Sequence, residues 1–186
     1  MNLQSGTKSN DEVKFIQKKL ESLTQKLFEE KYIERFYLPL LQSIKNKKNI
    51  MIAGSQGSGK SSLSKLISFY LKKYCSKNSV IISLDDFYLS KNSRIKLSKK
   101  IHSLFITRGV PGTHDIELLL DKLQQLRKKE FPVYLPIFDK VKDTRKKSYK
   151  KILKADVIIL EGWCVGAKPI PHHYLSKNIN NLEKLK

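Results

Sequence analysis

Residues 49–62 read Asn-Ile-Met-Ile-Ala-Gly-Ser-Gln-Gly-Ser-Gly-Lys-Ser-Ser, and no other stretch limits the possible folds so tightly. A short apolar run, a glycine-rich loop and a helix-compatible segment from Lys60 give a strand, a phosphate-binding loop and a helix in that order. Gly54 and Gly59, followed by Lys60 and Ser61, fit the G-x-x-x-x-G-K-[ST] spacing. Glycines let the backbone bring a nest of N–H groups against a phosphate, where any Cβ would collide. Gly54, Ser55, Gln56, Gly57, Ser58, Gly59, Lys60, Ser61 and Ser62 are therefore the expected nucleotide-phosphate cradle. In it Lys60 reaches the β- and γ-phosphates, the Ser61 hydroxyl offers an oxygen to Mg²⁺, and the helix N-terminus adds its positive dipole end. The competing reading is a Gly/Ser turn that precedes a lysine by accident; with this chain's composition such a match arises in roughly 1 chain in 100.

A chain of 186 residues is about one domain, long enough to bury a real core. Its net charge of +20 raises the question of a nucleic-acid or membrane-surface partner. Only five of the 37 basic residues are arginines (Arg35, Arg94, Arg108, Arg127, Arg145), and the lysines are scattered along the chain. Phosphate and base recognition favours the bidentate guanidinium, and no arginine cluster or aromatic-interleaved basic stripe is present, so no specific nucleic-acid partner is expected. A basic surface still draws in anions such as ATP. Cys75 and Cys164 have no paired spacing, which fits neither a disulfide framework nor a zinc site and suits a reducing cytoplasm. No apolar run approaches the length of a membrane span, so no membrane partner is expected.

Read in order, Ser9 and Glu12 stand in capping-box spacing ahead of Phe15, Ile16, Leu20, Leu23 and Leu27, one apolar helix face. A second helical stretch runs from Ile33 to about Ile44, with Pro39 able to kink it. Leu63, Leu66, Ile67, Tyr70 and Leu71 predict an amphipathic helix after the phosphate loop. The β-branched run 79–84 ends at Asp85-Asp86-Phe87-Tyr88. Open α/β sheets place ligands at the carboxyl ends of their strands, although an Asp pair is also common in a solvated turn. Residues 91–100 read as a basic surface connection. The loop 107–115 (Thr-Arg-Gly-Val-Pro-Gly-Thr-His-Asp) combines turn residues with charged donors, as a rigid ligand cradle does; Asp115 serves equally as the N-cap of the helix predicted from Ile116. Two prolines in 131–140 point to an extended edge or loop. The basic run 141–151 reads as a solvated linker or a mobile lid, with Arg145 its strongest phosphate candidate. A last apolar strand, 156–160, ends in Glu161, an acid suited to holding or water-bridging Mg²⁺. His172 and His173 read as solvent-facing, with no partner ligands spaced for a metal.

Gly-Ser-Gln-Gly-Ser-Gly-Lys-Ser, Ser-Leu-Asp-Asp-Phe-Tyr-Leu, Arg-Gly-Val-Pro-Gly-Thr-His-Asp, Pro-Ile-Phe-Asp-Lys and Ile-Leu-Glu-Gly-Trp-Cys-Val-Gly, in that order, resemble the D-glycerate 3-kinase family, a relative of the uridine kinase, pantothenate kinase and phosphoribulokinase group. The resemblance covers about residues 45–181. It implies an α/β P-loop NTPase fold, a three-layer sandwich around a parallel sheet, with residues 1–46 as an N-terminal helical extension and 47–186 as the kinase domain. It implies ATP and Mg²⁺ as cofactors and transfer of phosphate to a hydroxyl of a small metabolite, D-glycerate first. Carried over, Asp85 is the base that takes the proton of the attacking hydroxyl, with Asp86 the second choice, while Lys60 and Arg145 neutralise the moving phosphoryl group. Asp86, Tyr88, Arg108, Thr113, His114, Asp115, Asp139 and Lys140 line the acceptor, and Ser61 and Glu161 serve the metal. Members of that family are longer, so the expected sheet continues beyond residue 186. The alternatives are a kinase of a uridine- or pantothenate-like acceptor, a non-catalytic ATP-binding remnant and a basic nucleic-acid-binding module.

Overall fold

The computed structural model describes residues 4–174 together with Ser176 and Asn178. The expectation that the closing segment opens a further family element lies outside the described residues, as does the His172 side chain. Helix α1 (Gln4–Thr24), the single turn α2 (Glu30–Tyr32), a π-helical turn (Ile33–Tyr37) and α3 (Leu38–Ser43) precede the phosphate loop. There follow β1 (Asn49–Ala53), α4 (Lys60–Cys75), β2 (Ser79–Ser83), a 3-10 turn (Leu84–Phe87), α5 (Lys91–Lys100) and α6 (Ile116–Lys128). The chain then runs through four short strands, β3 (Val133–Leu135), β4 (Phe138–Asp139), β5 (Thr144–Arg145) and β6 (Lys150–Ile152), into β7 (Val157–Gly162).

The central sheet has the order β1-β7-β2 and is parallel throughout, so the last strand enters between the first two. Buried parallel strands need apolar side chains on both faces, and alternate residues of β7 serve opposite cores. Val157 and Ile159 join α1, α3 and α4 through Ile16, Leu20, Leu41, Leu66 and Leu71. Ile158 joins Val80, Ile82, Leu119, Leu126 and Val133 on the other side. Helices, sheet and helix-plus-hairpin thus make three layers, as anticipated. β1 forms one edge of the sheet among the described residues, and Met51 on it is 64% exposed.

Four local expectations are revised. Helix α1 already begins at Gln4 and runs through the Ser9–Glu12 pair; Glu12 instead accepts a 2.7 Å hydrogen bond from the Tyr70 hydroxyl and ties α1 to α4. Pro39 sits in the first turn of α3, where its missing N–H is harmless, and the misfit is taken up by the wide π turn just before it. Residues 91–100 form a helix, capped by Ser90, whose Oγ accepts from the Ser93 N–H at 3.1 Å. Its apolar periodicity is faint because the group it buries is Arg94, 1% exposed. Thr144–Arg145 and Lys150–Lys151 of the basic run 141–151 are built into antiparallel pairs, β5 on β4 and β6 on β3, which anchors the run at two points.

Asp86, expected at the acceptor, belongs to this framework: its carboxylate accepts the Phe138 N–H at 3.0 Å and pins β4 to the 3-10 turn. Burial, more than the neighbouring Asp85 charge, raises its pKa above the ordinary aspartate range. A raised carboxyl pKa favours the folded state while the group is protonated, and that contribution is lost as pH rises from the ordinary range through the folded value. Asp86→Asn, which keeps the acceptor oxygen, should unfold at the same temperature as the parent or higher at pH 7, the gain vanishing in acid; calorimetry across pH reads this. Ile159→Ala, emptying a fully buried site in the central strand, should cost about 2–5 kcal/mol in urea denaturation.

Candidate active site

The turn from β1 into α4 is made by Gly57 and Gly59, with φ of +80° and +86°, the left-handed region that glycine occupies without strain. Gly59 is also the residue at which α4 starts, so the helix dipole opens onto the loop. Lys60 Nζ donates to the Ser55 carbonyl at 2.6 Å, folding the side chain back along the loop. Strand pairing decides what faces it. In β7, Glu161 lies level with Ile52 of β1 and Ser83 of β2, which brings its buried carboxylate to 3.5 Å from the Ser61 hydroxyl. Gly162 follows because no side chain fits: an added Cβ would stand 2.7 Å from Leu84 Cβ.

Serine hydroxyl and carboxylate oxygens are hard donors of the kind Mg²⁺ takes, and Mg²⁺ is ordinarily held by one or two such groups plus substrate phosphates. Ser61 and Glu161 fit that description. No cluster of three or more His, Cys, Asp or Glu able to hold a metal occurs among the described residues.

The loop borders a cleft of about 1050 Å³ whose walls include Ser55, Gln56, Lys60, Ser61 and Glu161 at one end and Asp85, Tyr88, Arg108 and Lys140 at the other. Asp85 Oδ2 pairs with Lys140 Nζ at 2.7 Å, and its Oδ1 accepts from the Tyr88 hydroxyl at 3.2 Å. Burial, reinforced by the Asp85 charge, raises the Tyr88 pKa above the ordinary phenol range, so near neutral pH this hydroxyl is protonated and donates. Arg108 donates from Nη1 to the Lys140 carbonyl at 2.9 Å, and its guanidinium carbon lies 5.4 Å from the centre of the Phe138 ring.

Other residues assigned to the acceptor do not line the cleft. Thr113 is buried and donates to the Val110 carbonyl, closing its own turn. His114 is buried and stacks on Tyr88 with ring centroids 4.3 Å apart, and burial lowers its pKa. Asp115 caps α6 by accepting from the Leu118 N–H at 3.1 Å. Asp139 accepts from the N–H groups of Val141 and Lys142, both at 3.0 Å, and shapes the β4–β5 turn. Arg145, assigned to the phosphoryl group, is engaged elsewhere: it pairs with Asp115 at 2.8 Å and donates to the Tyr88 carbonyl at 3.1 Å. This arginine locks the β4–β5 hairpin to α6 and the 3-10 turn, so the cation beside Asp85 is Lys140. Gly54, Ser58, Gly59 and Ser62 support the loop without lining the cleft, whereas Ser83, Gly109, Val110, Pro111, Gly162 and Trp163 do line it. All six lie inside motifs already quoted, and strand-end position was the signal that could have included Ser83 and Trp163.

The comparisons with known proteins agree with this geometry. A family model described as Zeta toxin matches residues 37–89, the phosphate loop and its surroundings. The Saccharomyces cerevisiae protein TDA10, named a probable ATP-dependent kinase, is 38% identical over 135 residues, covering 65% of this chain and 47% of that protein. A uridine kinase of Bacillus mycoides is 35% identical over 120 residues, covering 64% of this chain and 53% of the enzyme. The solved D-glycerate 3-kinase of Cryptococcus neoformans var. grubii superposes with a TM-score of 0.61 at 30% identity, covering 88% of this chain and 56% of that one. The chain spans about half the length of these relatives. In sequence and in fold, the chain is similar to kinases that include D-glycerate 3-kinase and uridine kinase.

Proposed function

We propose that this chain carries an ATP-dependent small-molecule kinase site that phosphorylates a hydroxyl of a small anionic metabolite, D-glycerate first. The observation that carries the reading is a single cleft with a phosphate loop at one end and an aspartate, Asp85, held by Lys140 and Tyr88 at the other. Phosphoryl transfer asks a protein mainly for positioning and for compensation of charge. Asp85 takes the proton of the acceptor hydroxyl as its oxygen forms a bond to the γ-phosphorus, and the bond from that phosphorus to the β–γ bridging oxygen breaks to release ADP. Lys60 faces the phosphates, and Lys140 sits where charge builds next to Asp85. Mg²⁺, held by Ser61 and Glu161, supplies neutralisation of the phosphate oxygens when bound. Among the described residues no helix is long and apolar enough to cross a membrane. The free thiols Cys75 and Cys164 suit an enzyme working in a reducing cytosol.

An anionic acceptor is favoured because the acceptor end carries two cations, Arg108 and Lys140, beside one lining carboxylate, Asp85. The uridine kinase similarity supports a neutral nucleoside as the second reading. ADP release measured with D-glycerate and with uridine decides between them. The expected outcome is stimulation by D-glycerate, and a chain stimulated by neither would sink the reading. Asp85→Asn should retain ATP binding in calorimetric titration while turnover falls about 10²–10⁴-fold. EDTA should abolish turnover, and added Mg²⁺ should restore it.

A further inference from the structure

Arg94 heads the fully buried side chains by volume, at 1% exposure. Its Nε donates to the Leu89 carbonyl at 3.3 Å and Nη1 to the Ile106 carbonyl at 2.9 Å. Nη2 lies 2.6 Å from Asp143 Oδ2. Asp143 stands in the β4–β5 turn with φ of +53°, a conformation that non-glycine residues seldom adopt. Its other carboxylate oxygen, Oδ1, is buried without a hydrogen-bond partner and lies 3.4 Å from Arg108 Nε. Arg108 in turn holds the Lys140 carbonyl, and Lys140 pairs with Asp85. An ion pair that buries a guanidinium completely is a poor route to stability, since apolar residues of similar volume often serve as well or better. What it does provide is one defined geometry, running from the interior of α5 to the cleft wall.

We propose that Arg94 and Asp143 are positioning residues: the ion pair between buried Arg94 and half-buried Asp143 fixes the guanidinium of Arg108 in the cleft wall to receive the anionic group of the acceptor. The inference rests on the kinase reading of the cleft. Arg108 is the residue that touches the acceptor, and Asp143 acts through it. The charged groups facing Asp143 are Arg94 and Arg108, so one carboxylate serves a structural and a binding guanidinium together.

Asp143→Asn keeps the side-chain shape, and asparagine tolerates positive φ. This variant should raise the KM for D-glycerate about tenfold, with kcat and the KM for ATP within about twofold of the parent. In an Arg108→Gln background the same substitution should change nothing further, because the two residues form one unit. Asp143→Glu should recover part of the loss. Equal fold-changes in both backgrounds, or a lowered melting temperature with the D-glycerate KM unmoved, would overturn the proposal. Should the parent turn over neither acceptor, the kinase reading fails, and a spectroscopic readout still decides this one. With five arginines in the chain, the ¹⁵N-labelled guanidinium Nε–H signals are few enough to assign. In the unliganded protein the order parameter of the Arg108 Nε–H should fall clearly in Asp143→Asn relative to the parent, because the charge that holds the guanidinium in place is gone. An unchanged order parameter would refute the positioning role.

Discussion

Everything at the site depends on β7 entering the sheet between β1 and β2. Parallel pairing on both sides fixes its register twice, against Ile52 and against Ser83, so Glu161 cannot slip without turning its neighbours' apolar side chains out of two cores. That register sets the acid beside Ser61 across 100 residues of sequence separation. The same alternation that sends Val157 and Ile159 to one core and Ile158 to the other leaves the strand's last carboxylate at its carboxyl end. Packing of the core and placement of the acid are one constraint.

The opposite end of the cleft is built by different means. Its framework consists of short antiparallel pieces, β4 on β5 and the bridge between Tyr88 and His114, which apolar burial alone would hold weakly. Charged and polar groups complete it. Arg145 joins Asp115 to the Tyr88 carbonyl, Asp86 catches the Phe138 N–H, and Arg94 reaches Asp143 from within α5. The described residues thus join an apolar part built around the β1–β7–β2 sheet to a part completed by hydrogen bonds and ion pairs around the β4–β5 hairpin.

This division explains what could be read from the chain beforehand. The phosphate loop, the three parallel strands and the long helices are local patterns, and local patterns carry their meaning in spacing. The roles of Arg145, His114, Thr113 and Asp139 were not legible in the same way. An arginine in a basic run looks the same whether it meets a phosphate or, as here, an aspartate 30 residues away and a backbone carbonyl 57 residues away. Helix α5 was missed for a related reason: it buries a guanidinium where most helices bury leucine, so its pattern lacks the apolar stripe that announces a helix. Asp85, Tyr88, Arg108 and Lys140, which the structure brings to one cleft, lie inside motifs whose order along the chain is distinctive.

The edge that β1 forms among the described residues carries a consequence for their behaviour in solution. An edge strand with an exposed methionine is a template onto which another strand can add, and that is how sheets from separate molecules aggregate. Lys47 and Lys48 stand immediately before the strand, and the molecule as a whole repels its copies with a net charge of +20. The scattered lysines therefore have a colloidal role, keeping like-charged copies of this edge apart.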